Sequence, residues 1–180
     1  MLVTAATAWC AKPFVIPELR DWSDNAAAGT FALSEDTRVV IPEDACDALA
    51  RYAQTFADDL GLPLVREASG FWSTITFTAE SAEPGDIVLR VVPDDKANPE
   101  GYTLTAGKSG IVIQAPTPLG AFWGTRTILQ VFADQGNTFP GGEAKDWPEY
   151  AKRGFMFDCG RKPFALETLH QLADICSYYK

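Results

Sequence analysis

The feature that most restricts the fold is a pair of strand-like runs separated by a very short connection. Tyr102–Ala106 and Ile111–Gln114 are rich in β-branched and aromatic residues, and only Gly107–Gly110 lies between them. A connection of this length joins neighbouring antiparallel strands in a hairpin. Two further strand-like runs precede the pair, at Thr74–Thr78 and Asp86–Val92. The four runs in succession predict an antiparallel meander.

Two amphipathic patterns indicate helices that can cover one face of this sheet. The first begins at Asp44, repeats apolar residues at helical spacing, and is ended by Gly61 and Pro63. The second spans Leu119–Phe132. A shorter region, Thr30–Ile41, predicts two short strands. Together these patterns predict an α+β domain in which an antiparallel sheet carries two helices on one face.

Two glycines near the start of the second helix, Gly120 and Gly124, have the spacing GxxxG. A phosphate-binding loop would continue with Lys and Ser or Thr, which are missing here. We therefore interpret both glycines as positions where the helix packs closely on the sheet.

The chain changes character after a glycine-rich stretch at residues 136–142. Gly154–Phe157 is a continuous apolar run, which is typical of a strand buried on both faces of a parallel sheet, and an apolar stripe from Leu166 to Tyr179 predicts a helix. This strand and helix would be one β-α unit of a truncated (β/α)8 barrel. We expect a disordered or trimmed end at residues 1–12, the α+β domain at 13–141, and the start of the barrel at 142–180.

Charge and composition argue against several classes of partner. The formal net charge is −9, and the 15 Lys and Arg residues are scattered, so nucleic acid is not expected to bind. No apolar stretch approaches the ~18 residues that a membrane span needs, so membrane insertion is not expected. The only histidine, His170, and the four cysteines show no metal-ligand spacing. We expect neither a metal nor a cofactor, and we interpret His170 as a helix-face residue.

One group of residues has a pattern suited to substrate binding. The predicted strand at Gly154–Phe157 is followed by Asp158 and, three residues later, by Arg161. Substrates of β/α barrels bind at the carboxyl ends of the strands. The planar guanidinium of Arg161 can donate two hydrogen bonds to vicinal sugar hydroxyls, and Asp158 can orient it. A plain structural ion pair between the two side chains is the alternative interpretation.

Two stretches of the sequence carry a family resemblance. The first consists of Pro99–Leu104, Gly110–Ile113 and Gly120–Gln130. The second consists of Asp146–Pro148, Arg153–Gly154, Asp158 and Arg161. Both resemble the family 20 glycoside hydrolases, which include the β-N-acetylhexosaminidases and lacto-N-biosidases. The resemblance implies an N-terminal α+β domain that leads into a (β/α)8 catalytic barrel.

The same resemblance implies roles for residues and a reaction. Arg161 would bind hydroxyls of the non-reducing sugar, and Asp158 would support it. Enzymes of this kind use the 2-acetamido oxygen of the substrate as nucleophile, with an Asp-Glu pair that orients the acetamido group and protonates the leaving oxygen. No Asp-Glu dipeptide occurs in these 180 residues. We therefore expect no catalytic residue in this chain and no activity from it alone, whereas a full-length parent would cleave terminal N-acetylhexosamine or lacto-N-biose.

Two other functions fit the residues. The α+β domain could be a non-catalytic module that binds carbohydrate or protein, since five tryptophans could provide stacking surfaces, although core or interface packing is favoured for them. Another sugar hydrolase, such as an α-glucuronidase or O-GlcNAcase, could also place such a domain before a barrel. The expected partner is a glycan bound by the full-length enzyme, and terminal N-acetylhexosamine favours an extracellular or cell-surface location. Apolar residues of an unpaired barrel unit also predict a homodimer through residues after Gly142.

Overall fold

The computed structural model describes residues 12–67 and 85–180, and the predicted strand at Thr74–Thr78 lies outside them. The strands in the described residues are β1 Asp21–Asp24, β2 Phe31–Ala32, β3 Val39–Pro42, β4 Leu64–Glu67, β5 Asp86–Val91, β6 Tyr102–Gly107, β7 Gly110–Ala115, β8 Thr138–Phe139 and β9 Gly142–Asp146. The helices are α1 Asp47–Leu60, α2 Pro118–Gln135 and α3 Leu166–Tyr178. Within these residues, no helix combines the length and apolarity needed to cross a membrane.

Seven strands form one mixed sheet in the order β1-β9-β6-β7-β5-β3-β4, and β2 pairs with β8 separately. The predicted hairpin is confirmed, because β6 and β7 pair antiparallel. The expected antiparallel meander is wrong for the other half of the sheet, where β3 is parallel to β4 and β5, and β5 is parallel to β7.

The chain connections explain the parallel half. Helix α1 carries the chain from the end of β3 back to the start of β4, so both strands run in the same direction. After β5 the chain passes beyond the position of β7 before it forms β6, and the hairpin then returns β7 to the space between β6 and β5. Spacing along the sequence indicated the hairpin, but it carried no information on which strand would lie beside β5.

Both helices lie on one face of the sheet, as the apolar patterns predicted. Every second residue of the central strands joins a core that also contains buried residues of α1 and α2, including Phe56 and Ile128. The intervening residues Val40, Val88 and Val112 form a separate buried cluster. This alternation is the expected consequence of a strand that presents successive side chains to opposite faces.

Local sequence determines where the helices begin and end. The hydroxyl of Thr117 accepts a hydrogen bond from the Gly120 amide at the start of α2. Helix α1 ends at Gly61, which has the left-handed conformation with φ 66° and thus fits the predicted cap. A Cβ at Gly124 would lie 2.8 Å from Cγ2 of Ile113, which confirms that this glycine permits close packing of α2 on the sheet.

Strand β9 corrects the position of the expected domain boundary. The boundary was placed near Gly141 or Gly142, but Gly142–Asp146 pairs with β6 on one side and with β1 on the other. A boundary at Gly142 would therefore remove a strand from the interior of the sheet. The α+β domain therefore includes β9, and Trp147 directly after it is still joined to Arg20, whose Nε donates to the Trp147 carbonyl at 2.7 Å.

The residues that follow, 148–180, are named here the C-terminal segment. The strand predicted at Gly154–Phe157 is not formed, because residues 148–165 contain no regular secondary structure and no strand of the described residues pairs with them. Phe155 is 66% exposed and Met156 is 91% exposed. A strand forms only where a neighbouring strand accepts its hydrogen bonds, and no described strand lies beside residues 154–157. The helix predicted after it is confirmed as α3.

Candidate functional site

A cleft of about 440 Å³ lies where the α+β domain meets the C-terminal segment. Its sides include Trp123 of α2 and Trp147 after β9. Each indole ring carries a guanidinium over its face, Arg153 over Trp123 at 5.6 Å and Arg20 over Trp147 at 4.9 Å. These stacked pairs fix the two aromatic sides of the cleft.

The floor of the cleft is a buried polar cluster. Tyr102 and Asp146 face each other at the end of the β6–β9 ladder, and the Tyr102 hydroxyl donates to Oδ2 of Asp146 over 3.0 Å. The ammonium of Lys180 donates to the same carboxylate oxygen and to the Tyr102 hydroxyl, both at 2.9 Å. The Thr127 hydroxyl lies 2.6 Å from the Tyr102 oxygen. The cluster therefore joins β6, β9 and α2 to Lys180, which lies two residues after the end of α3.

Burial changes the ionisation of two groups in this cluster. Burial raises the pKa of Tyr102 well above 10.0, and the neighbouring Asp146 carboxylate raises it further. Burial also lowers the pKa of Lys180 from 10.5, although Asp146 opposes that change. An ammonium that is only 8% exposed needs a carboxylate partner, and Asp146 supplies it.

A second ion pair lies at the edge of the cleft. The carboxylate of Glu100 accepts a 2.6 Å hydrogen bond from Arg153 and a 2.8 Å hydrogen bond from the Trp123 indole. The hydrogen bond from Arg153 is the main cause of the lowered pKa of Glu100. Glu100 belongs to the α+β domain and Arg153 to the C-terminal segment, so this pair joins the two regions.

The buried amide of Gln130 joins three parts of the chain. Its oxygen accepts from the Ile16 amide at 2.7 Å, and its nitrogen donates to the carbonyl oxygens of Ile16 at 3.0 Å and Tyr178 at 2.9 Å. Gln130 therefore fixes the N-terminal stretch and the end of α3 against α2.

Arg161, which is predicted to bind sugar, and Asp158, its predicted support, lie elsewhere, on the exposed part of the C-terminal segment. Nε of Arg161 is 3.8 Å from Oδ2 of Asp158, and the two side chains are 94% and 61% exposed. Neither residue lines the cleft. Their predicted role in binding sugar stays a prediction.

Among the residues noted in the sequence, the histidine does not line the cleft, whereas two of the tryptophans do. His170 is exposed on α3, in agreement with its interpretation as a helix-face residue. Within residues 12–67 and 85–180, no three His, Cys, Asp or Glu side chains are grouped to hold a metal. Trp123 packs against the core, whereas Trp147 remains 39% exposed. Trp9 and Trp72 lie outside the described residues.

Sequence reasoning did not identify Tyr102, Asp146 and Lys180 as a group. Their proximity depends on the β6–β9 register, which places Tyr102 opposite Asp146. The signal in the sequence was the alternation of residues 142–146, which was assigned to the following domain instead of to the sheet.

Comparison with solved structures first identifies the fold, which is one found in β-N-acetylhexosaminidases. The β-N-acetylhexosaminidase of Streptomyces coelicolor A3(2) matches 94% of the chain with a TM-score of 0.72 and 24% identity, and the chain spans 34% of that protein. The Bacteroides fragilis β-N-acetylhexosaminidase gives a TM-score of 0.68 over 92% of the chain at 18% identity, and the chain spans 31% of it. At these identities the likeness shows the fold alone.

Sequence comparison then identifies the family. The model described as glycosyl hydrolase family 20, domain 2, matches residues 12–147, and the chain belongs to this family. The lacto-N-biosidase of Bifidobacterium bifidum is 32% identical over 148 residues, which are 79% of this chain and 12% of that protein. The β-hexosaminidase of Porphyromonas gingivalis is 36% identical over 90 residues, which are 45% of this chain and 12% of that protein. The predicted family is confirmed, and the chain spans only a small part of these relatives.

Proposed function

We propose that this chain is the N-terminal part of a glycoside hydrolase that removes terminal β-linked N-acetylhexosamine, or lacto-N-biose, from glycans. The observation that carries the proposal is the family 20 match over residues 12–147. Relatives named lacto-N-biosidase and β-hexosaminidase favour a substrate with an N-acetylhexosamine unit. The reaction proposed for the full-length enzyme is substrate-assisted hydrolysis with retention of configuration.

We also propose that residues 1–180 alone do not hydrolyse glycosides. It rests on the missing Asp-Glu dipeptide, because the proposed reaction needs one carboxylate to orient the acetamido group and an adjacent acid to protonate the leaving oxygen. The test is release of 4-nitrophenol from the 4-nitrophenyl glycosides of N-acetylglucosamine and lacto-N-biose, by this chain and by the product of the complete gene. A rate above buffer from the purified 180-residue chain would contradict the expected inactivity. Failure of the complete product on both substrates would contradict the function.

Arg161 is proposed to hold the sugar in the full-length enzyme, with Asp158 as its support. Arg161→Ala should reduce kcat/KM by a factor that corresponds to about 2–4 kcal/mol, because charged hydrogen bonds to a desolvated sugar would be lost. The matched control is Lys162→Ala, which removes a neighbouring positive charge. Equal losses in both variants would contradict the assignment of Arg161.

A homodimer through the C-terminal segment is a further proposal. Phe155, Met156 and Leu166 are 66%, 91% and 66% exposed, and apolar surface of this kind favours association. Because β9 belongs to the sheet, the comparison chain must end after Trp147, not near Gly142. Light scattering should give a dimer or larger species for 180 residues and a monomer for the shortened chain. A monomer in both cases would contradict the proposal.

A further inference from the structure

Helix α3 has no buried apolar face that would fix its position on the α+β domain. No residue of α3 is buried, and residues 148–165 before it lack regular structure. Polar contacts join this part of the chain to the α+β domain, and most of them involve Arg153 or the residues at the end of α3 and beyond. They include Arg20 with Glu149, Arg153 with Glu100, Gln130 with the Tyr178 carbonyl, and Lys180 with Tyr102 and Asp146.

The acceptor for the Lys180 ammonium is built by the sheet itself. Tyr102 and Asp146 are opposite residues on the paired strands β6 and β9, so the sheet fixes the distance between them. The other carboxylate oxygen of Asp146 accepts from the Arg20 backbone amide at 3.3 Å, which restrains the carboxylate before Lys180 is considered. Because this acceptor is already fixed, the conformational entropy lost when the ion pair forms is mainly that of the lysine side chain.

Side chains outside α3 also satisfy the backbone at its end. The final carbonyl groups of a helix have no partner within the helix. Here Gln130 donates to the Tyr178 carbonyl at 2.9 Å, and Arg153 donates to the Lys180 carbonyl at 3.2 Å. The end of α3 is thus held by side chains outside the helix, and Arg153 is in turn fixed by Glu100.

We infer that Tyr102, Asp146 and Lys180 form a polar latch that sets the position of α3 on the α+β domain. These three are positioning residues, because they act on the rest of the segment through α3. Arg161 lies five residues before the first residue of α3, so the latch also limits where Arg161 can lie. Only this consequence for a sugar-binding residue rests on the proposed function.

The experiment measures where α3 lies relative to α1. Cys46 beside α1 and Cys176 on α3 are exposed. With Cys10 and Cys159 changed to serine, spin labels at the two remaining thiols report one distance by double electron–electron resonance. Dilution with unlabelled chain removes distances between copies. The latch predicts a single narrow distance distribution for this reference protein, and a broad distribution in it would overturn the inference.

The variants remove the latch without emptying the core. Lys180→Met keeps the length of the side chain but removes the charge, and Asp146→Asn keeps the shape but removes the negative partner. Each should broaden the distance distribution at least about twofold, and amides of α3 should exchange about tenfold faster, as expected when a charged hydrogen-bonded pair is lost. Lys145→Met is the matched control, because Lys145 is adjacent to Asp146 and more than half exposed.

Exchange of the α1 and α2 amides separates a positional effect from general destabilisation. The inference requires these amides to keep their protection while α3 moves. Unchanged distances in both variants would show that other contacts hold α3, and equal broadening in Lys145→Met would show that the effect is not specific. If Asp146→Asn fails to fold, Tyr102→Phe gives the second measurement. Because no step measures hydrolysis, failure of the proposed function would leave these outcomes unaffected.

Discussion

Residues 12–147 and the C-terminal segment differ in how they are held in place. In the first region, side chains such as Phe56, Ile113 and Leu104 are completely buried between the sheet and two helices. In the second, none of the α3 residues is buried, and hydrogen bonds and an ion pair join its end to α2 and to the sheet. A region with a core of its own resists single polar changes, whereas a region joined by polar contacts depends on each of them.

Replacing one phenylalanine by alanine in each region tests this contrast, and the larger of the two changes is the largest effect that we expect. Phe56→Ala should lower the free energy of unfolding by about 3–5 kcal/mol, because it leaves a cavity in the core. Phe155→Ala, at a side chain that is 66% exposed, should change it by about 0.5 kcal/mol or less. Denaturant unfolding followed by tryptophan fluorescence measures both. Similar losses would mean that the C-terminal segment has a core of its own.

A smaller effect is expected from added methyl groups. A Cβ at Gly120 would lie 2.2 Å from the Gly101 carbonyl oxygen, so Gly120→Ala should lower the free energy of unfolding by about 1–3 kcal/mol despite the better helix propensity of alanine. A Cβ at Gly154 would meet nothing within 4 Å, and Gly154→Ala should be nearly neutral. Thermal unfolding of the two variants provides the comparison, and a neutral Gly120→Ala would contradict the close packing of α2.

At alkaline pH, the free energy of unfolding should fall because of Tyr102, which lies where the two regions meet. Since the folded pKa of Tyr102 is raised above 10.0, its contribution to stability is fully present below pH 10.0 and is lost as pH rises towards the folded value. The lowered pKa of Lys180 has the opposite effect, because it makes the free energy of unfolding rise with pH, but only below pH 10.5. Above pH 10.5, the free energy of unfolding should therefore fall less steeply in Tyr102→Phe than in the unchanged chain. The matched control is Tyr150→Phe, which removes the hydroxyl of an exposed tyrosine.

The smallest effect is expected at acid pH. Glu100 has a lowered pKa because Arg153 donates to it, so its contribution is present above pH 4.5 and is lost as pH falls through the lower folded value. Glu100→Gln should reduce the protection of α3 amides by a factor equivalent to about 1 kcal/mol at neutral pH, and the difference should shrink below pH 4.5. The matched control is Glu143→Gln, at a partly exposed glutamate that is paired with Lys145. If the difference in α3 protection between Glu100→Gln and the unchanged chain does not depend on pH, the negative charge of Glu100 does not stabilise the position of α3.

The same contrast explains what could be predicted from the sequence. The hairpin, α1, α2 and α3 were predicted because hydrophobic spacing and capping residues such as Gly61 are local signals. The parallel pairing of β5 with β7 was missed because pairing depends on the path of the chain between strands. The strand at Gly154–Phe157 was predicted from its apolar residues, but a strand forms only where neighbouring strands accept its hydrogen bonds. The latch was missed because Lys180 and Tyr102 are 78 positions apart.

The pairing of β1 with β9 has a consequence for folding during synthesis. Asp21–Asp24 is made early, but its partner Gly142–Asp146 leaves the ribosome more than a hundred residues later. At about 5–20 residues per second, β1 waits on the order of ten seconds for that partner. Trp22 waits with it, and its ring later fills the space beside Gly142, where a Cβ would lie 2.5 Å from Cζ2. Of the described strands, β1 is therefore translated first but must wait for the last one, β9, to pair, and a nascent chain that stalls before residue 142 leaves the Trp22 indole without its partner.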